Sequence, residues 1–121
     1  MTHTQTVGKI GEDAAAAYLV KNRYRIIEHN HLKPWGEIDI VAKAKDGTLV
    51  FIEVKTMAGE EGAGLRPEDN MTGAKIMKMK RAALAYANAH PELVGGRGWR
   101  IDAIAVRLGE KPDDIRHYEN I

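Results

Sequence analysis

Two neighbouring strand-like runs, Glu37–Ala44 and Thr48–Thr56, carry charged residues inside otherwise apolar sequence, and no other feature restricts the fold so tightly. In the first, Ile38, Ile40 and Ala42 alternate onto one face, and Asp39 shares the other with Val41. In the second, Val50, Ile52 and Val54 oppose Leu49, Phe51, Glu53 and Lys55. One face of each run is apolar and the charged face is partly so, which predicts strands buried on both sides. A carboxylate placed there costs free energy unless it is paired or bound to a metal. Asp39 and Glu53 therefore need a partner, either Lys55 two positions along the same face or a divalent cation.

The connection between the runs decides whether the two acids can meet. Directly opposed residues of an antiparallel hairpin share a face, and their numbers keep a constant sum. A two-residue Asp46-Gly47 turn pairs Lys45 with Thr48 and sends Asp39 and Glu53 to opposite faces. A three-residue Lys45-Asp46-Gly47 loop pairs Ala44 with Thr48 and brings the acids onto one face. That loop wants a left-handed residue at its third position, which Gly47 supplies. A shared site predicts the three-residue form.

The remaining chain alternates helical and extended patterns. The Ala14–Ala17 run with Tyr18 and Leu19 predicts a helix over about 9–21. Ile26 and Ile27 predict a strand over 24–32, and Pro34-Trp35-Gly36 a turn. After a glycine-rich stretch with Gly59, Gly62 and Gly64, a second helix spans 72–90, with Ile76, Met79, Ala83, Tyr86 and Ala87 at helical spacing. Trp99–Leu108 alternates as a strand, and Ile115–Tyr118 is a short last one. The order is α-β-β-β-α-β: an α/β fold with a mixed sheet flanked by helices, in one domain over 1–121. No apolar run reaches the roughly 18 residues of a membrane span. No cysteine is present, which removes disulfides, thiolate metal sites and a cysteine nucleophile. Met1–Thr6 lacks the basic start and apolar stretch of a secretory signal. A cytoplasmic protein is expected.

Two facing carboxylates with an adjacent ammonium suit phosphodiester hydrolysis. Mg²⁺ or Mn²⁺ takes oxygen ligands, and Asp39 and Glu53 with waters and a substrate phosphate complete its shell. A metal of this kind polarises the phosphoryl oxygen and makes bound water easier to deprotonate. Lys55 would orient the attacking water or offset charge growing on phosphorus.

At these residues the chain resembles the restriction-endonuclease-like superfamily, whose signature is Asp…Glu-x-Lys, often written PD-(D/E)xK. More narrowly it is similar to the bacterial YraN-like group of nuclease-like proteins. The matching stretches are Gly11-Glu12 with Ala15 and Tyr18-Leu19; Gly36-Glu37-Ile38-Asp39; Phe51-Ile52-Glu53-Val54-Lys55-Thr56; and Arg100-Ile101-Asp102. They span most of the chain and keep their order. The resemblance implies a restriction-endonuclease-like core and an approach of Glu12, from the first helix, to the metal site. Archaeal Holliday-junction resolvases share the layout and work as dimers, and a domain this small offers little surface to grip a duplex, so a homodimer is expected. The chain departs from the group at Met57, where arginine is frequent, and at Ile76, where glutamine commonly follows the lysine.

The expected function is thus metal-dependent cleavage of DNA, branched or single-stranded, with RNA open because metal-assisted hydrolysis does not use the 2′-hydroxyl. The alternative is an inactive nucleic-acid-binding or scaffolding protein of the same fold. The formal net charge of +1 supplies no overall pull on phosphates, so basic residues must gather on one face. Lys75, Lys78 and Arg81 fall along one side of the second helix, where they either meet phosphates or form an ordinary solvated face. The loop Met57–Asn70 reads either as a cover for substrate or as a plain connection. His29 and His31 share a strand face but lack a third ligand and read as surface residues. Glu37 and Asp102 read as structural acids, and Met71, Met77 and Met79 as core or interface filler.

Overall fold

The hairpin loop takes the three-residue form, and it sets the register of the central strands. Gly47 adopts φ +94°. Its N–H donates to the Ala44 carbonyl at 2.9 Å, and the Ala44 N–H donates to the Thr48 carbonyl at 2.9 Å. The Asp46 carboxylate accepts from both the N–H (2.9 Å) and the hydroxyl (2.7 Å) of Thr48, closing the loop with its own side chain. Ala42 then faces Val50, Val41 faces Phe51 and Ile40 faces Ile52.

The computed structural model describes residues 3–34, 36–58, 72–109 and 114–121. Its elements are α1 (His3–Lys21), β1 (Arg25–Lys33), β2 (Gly36–Lys43), β3 (Leu49–Ala58), α2 (Gly73–Ala89), α3 (Pro91–Val94), β4 (Trp99–Leu108) and β5 (Asp114–Tyr118). The strands lie in the order β1-β2-β3-β4-β5. Only β3 and β4 run parallel, joined through α2 and α3; the other neighbours are antiparallel. The expected mixed sheet flanked by helices is therefore present. Thr72 and His90, the ends of the expected second helix, are its caps, and the Thr72 hydroxyl accepts the Lys75 N–H at 3.2 Å. α1 starts six residues earlier than expected, because Gly8 lies inside the helix instead of before it. The one-turn α3, opened by Pro91, was not expected at all.

Each sheet face buries one helix. On one side Ala15 and Leu19 of α1 pack over Ile40, Ala42, Val50 and Ile52. On the other, Met79, Ala83 and Tyr86 of α2 pack over Val41, Leu49 and Phe51. Met79 is core, as expected, whereas Met77 is exposed and Met71 lies outside the described residues. Among the described residues no helix is long and apolar enough to cross a membrane.

Ile38 overturns the expected alternation. It packs in the α2 cluster beside Val41, while Ile40 and Ala42 pack under α1. The strand changes its facing between Ile38 and Ile40, and Asp39 is the residue between them.

α1 approaches β3 so closely that only glycine fits at residue 11. A Cβ there would stand 1.8 Å from Thr56 Oγ1 and 2.6 Å from Thr56 Cβ. Gly11→Ala must push α1 off the sheet and is expected to cost roughly 1–3 kcal/mol, as overpacking does. Urea midpoints check this, and Thr56→Gly in the same chain should return part of the loss. A midpoint unchanged by Gly11→Ala would refute the close approach.

Candidate active site

Asp39 lies where β2 and β3 part. The last pair of their ladder is Ile40–Ile52. The hydrogen-bonding rhythm set at Ala44–Thr48 would next carry the Val54 N–H to the Ile38 carbonyl. Instead the Asp39 carboxylate takes it, Oδ2 accepting at 2.8 Å. A side chain has replaced the backbone acceptor, and this brings Asp39 against the strand segment that carries Glu53 and Lys55.

The environment is hostile to its charge. Burial pushes the Asp39 carboxyl up to about 7; the Val54 N–H opposes this, and the charges of Glu53, Glu12 and Glu37 add to it. Glu53 is also raised by burial, with Lys75 and then Lys55 acting to lower it and Glu37 to raise it. The repulsion between the two acids adds to burial in opposing the charge on Asp39. Lys55 and Lys75 thus bracket Glu53 electrostatically, one from its own strand and one from the start of α2.

Glu12 arrives from α1 beside Gly11. Burial raises its carboxyl and the Asn30 amide lowers it, while Glu37 and Asp13 raise it and His29 lowers it. With its amide turned to satisfy both partners, Asn30 donates to Glu12 Oε1 at 3.1 Å and Oε2 at 3.3 Å. Asn30 has φ +50°, a left-handed conformation inside a strand, which a non-glycine residue adopts at some cost. The sequence reading missed it. Asparagine is among the few residues that tolerate this geometry, but nothing in a strand-like run marks where it occurs. Asn30 also separates the two histidines: His31 Nδ1 pairs with Glu28 Oε2 at 2.7 Å, while His29 acts on Glu12. They form no joint site.

The other residues singled out fall around this centre. Glu37 is exposed, yet its charge reaches Asp39, Glu12 and Glu53, so it belongs to the field of the site as well as to the strand end. Lys75, Lys78 and Arg81 are all exposed on α2. Residues 59–70 of the glycine-rich loop lie outside the described residues.

Among the described residues, no three His, Asp or Glu side chains gather tightly enough to cage a cation. The available donors are the Asp39 and Glu53 carboxylates. Two half-buried carboxylates of like charge fit a hard divalent ion that keeps several waters, and such an ion would relieve the repulsion that raises Asp39. Glu12, held by Asn30, acts on Asp39 through its charge.

A model of the uncharacterised protein family UPF0102 matches residues 11–106. The chain belongs to this family. A UPF0102 protein of Trichlorobacter lovleyi is 42% identical over 96% of this chain and 89% of its own. One of Alkaliphilus oremlandii is 39% identical over 94% and 95%, and one of Moorella thermoacetica 42% identical over 84% and 80%. The UPF0102 region includes Glu12, Asp39, Glu53, Lys55 and the three basic residues of α2; it stops short of β5.

The matched region also contains Asp102, which this chain uses as a hub. Fully buried on β4, Asp102 accepts Arg100 Nε at 3.0 Å and the Asn120 N–H at 2.9 Å on Oδ1, and pairs with His117 Nε2 at 2.7 Å on Oδ2. Arg100 Nη2 donates to the Tyr24 hydroxyl at 2.9 Å. Burial alone would raise the carboxyl; bonds from His117, Arg100 and Asn120 overcome it and hold Asp102 below the usual carboxylate range. This acid ties β5 and the chain end to β4.

Proposed function

We propose that this UPF0102 protein is a metal-dependent nuclease of the restriction-endonuclease-like (PD-(D/E)xK) type. It would hydrolyse phosphodiester bonds in DNA, branched or single-stranded, in the cytoplasm, as a homodimer. The observation that carries the reading is Asp39: a carboxylate wedged into the parting of two strands, beside Glu53, with its ionised form opposed by burial and by three other acids. A fold does not keep such a group for stability.

In this reading Asp39 and Glu53 hold Mg²⁺ or Mn²⁺, which supplies Lewis acidity at the phosphoryl oxygen and a more acidic water. Lys55 orients the attacking water and offsets negative charge growing on phosphorus as the new P–O bond forms and the ester oxygen leaves. Lys75 steadies Glu53; Glu12, held by Asn30, takes the proton that the attacking water gives up, and solvent protonates the departing ester oxygen. Lys78 and Arg81 meet backbone phosphates.

The test is purified protein with Mn²⁺ against single-stranded, duplex, flap and four-way DNA, and against RNA. Metal-dependent cleavage is expected, with Lys55→Ala reducing it by about 10²–10³-fold, as loss of one charge-stabilising donor does. No cleavage of any form with any divalent ion would overturn the enzyme. The second reading, a nucleic-acid binder without turnover, is favoured by the net charge of +1 and by Met57. It predicts salt-dependent binding indifferent to Asp39→Ala and Glu53→Ala.

A further inference from the structure

Away from the acids, a cavity of about 260 Å³ opens between the end of β1 and the second half of α2. His31, Lys33, Tyr86, His90 and three alanines of α2 line it, and among the described residues no carboxylate does. The carboxylates stand behind the imidazoles: Glu28 Oε2 holds His31 Nδ1 at 2.7 Å, and Glu92 Oε1 holds His90 Nδ1 at 3.4 Å. With each Nδ1 donating to a carboxylate, Nε2 is the ring nitrogen left to serve a ligand, and it donates to one only in the protonated ring. Both rings are braced on one phenol, His31 edge-on to Tyr86 at 4.8 Å between centroids and His90 at 4.4 Å. The Tyr86 hydroxyl is itself spent on Glu28 Oε1 at 3.0 Å. Two anchored imidazoles and an ammonium therefore share a partly apolar pocket.

The geometry points to a phosphate-binding subsite here, for a nucleotide. The Lys33 ammonium and, in the protonated form of the rings, the two Nε2 groups are donors to a ligand in a cavity with no acid among its lining residues, which suits an anion, and a phosphoryl group offers several acceptor oxygens to such donors. The cavity is larger than a bare phosphate needs, and its alanine and tyrosine wall suits the sugar or base that a phosphate carries. Its position agrees. In the β1–β2 ladder His31 faces Ile38 and Lys33 faces Gly36, so the pocket flanks the start of β2, next to Asp39. The Lys78 carbonyl and Ala82 pack against Gly36, and Lys75, one turn earlier on α2, acts on Glu53. α2 thus leads from the acidic pair to the pocket. A strand cut at Asp39 and Glu53 would place a neighbouring nucleotide between His31, Lys33 and His90. This assignment to the substrate strand rests on the nuclease reading; the phosphate chemistry of the pocket does not.

The phosphoryl group could come from a strand or from a free nucleotide, and one titration series separates them. Inorganic phosphate, thymidine 5′-monophosphate and a short single-stranded oligonucleotide are added without divalent ions, so that nothing is cleaved. The imidazole signals of His31 and His90 are followed by NMR, and oligonucleotide affinity by fluorescence anisotropy. Both imidazoles are expected to shift, most strongly with the oligonucleotide. His31→Gln with His90→Gln should weaken its binding at least about tenfold. Lys33→Ala, which alters an exposed side chain at a strand end, should lower the salt dependence by roughly one counterion. Imidazoles unmoved by all three probes, with affinity unchanged in both variants, would overturn the subsite. Shifts with the mononucleotide but no oligonucleotide binding would keep the phosphate site and reject the strand. Oligonucleotide binding that ignores both variants would reject the pocket and leave the nuclease reading standing.

Discussion

Asp39→Asn is expected to make the fold more stable at pH 8 while abolishing metal-dependent cleavage. The Asp39 carboxyl is pushed up from 3.8 to about 7, so the native state prefers it protonated. Below the ordinary carboxylate pKa both native and unfolded chains carry the proton, and the group costs nothing. As pH rises through the ordinary value, the unfolded chain ionises and the native chain resists; the penalty grows until about pH 7 and then levels off. Its ceiling is roughly 4 kcal/mol at about 1.4 kcal/mol per pH unit of displacement, and structural relaxation will reduce it. Asparagine keeps an oxygen for the Val54 N–H and removes the charge. Urea unfolding should therefore give equal stabilities for wild type and variant at about pH 3, and a variant about 1–4 kcal/mol more stable at pH 8. Mn²⁺ works against this difference: at a hundred times its dissociation constant it adds about 2.7 kcal/mol to a protein that binds it only when native. That gain should appear in the wild type and be missing in Asp39→Asn. Equal stability at both pH values, with equal response to Mn²⁺, would mean that Asp39 is neither strained nor a ligand.

Asp102→Ala is expected to move stability the other way, and by more. The carboxylate is fully buried and satisfies Arg100, His117 and the Asn120 N–H together. Removing it leaves a half-buried guanidinium and a nearly buried imidazole without their shared partner. Breaking a buried charged network in this way costs about 3–5 kcal/mol. β5 should loosen first, since His117 and the Ile121 N–H, which donates to the Ile101 carbonyl at 2.9 Å, hold the chain end on β4. Hydrogen exchange would show this as faster exchange in β5 than in β3. The pH dependence has the opposite sign to that of Asp39. Asp102 lies below the usual range, so its contribution is present above the ordinary carboxylate pKa and is lost as pH falls through the depressed value. Acid should close the gap between wild type and Asp102→Ala. A gap of less than about 1 kcal/mol at pH 7 would show that the network is solvated and not structural.

The two acids contrast for a reason that sequence could not supply. Both sit in runs of apolar strand residues, Ile38-Asp39-Ile40 and Ile101-Asp102-Ala103. Asp102 meets three donors from Arg100, β5 and the chain end; Asp39 meets one backbone N–H and three other carboxylates. The partners brought from distant segments give Asp102 a set of donors and Asp39 an unfavourable field, a difference in energy that the two strand patterns do not record. Asn30 makes the same point, since its value lies in a left-handed turn and a glutamate from another element.

Sequence alone marked every described element except α3 and narrowed the hairpin to two registers. Apolar periodicity marks the strands and α2 within two residues, and Gly47 supplies the positive φ that the three-residue loop requires. These are local properties, written in neighbouring residues. Tertiary structure alone decided which face each side chain took at Ile38, where β2 separates from β3, and which charges surround Asp39, Glu12 and Asp102. Those outcomes depend on helix–sheet contacts such as Gly11 against Thr56, and burial there makes charges feel one another across gaps that no spacing along the chain records.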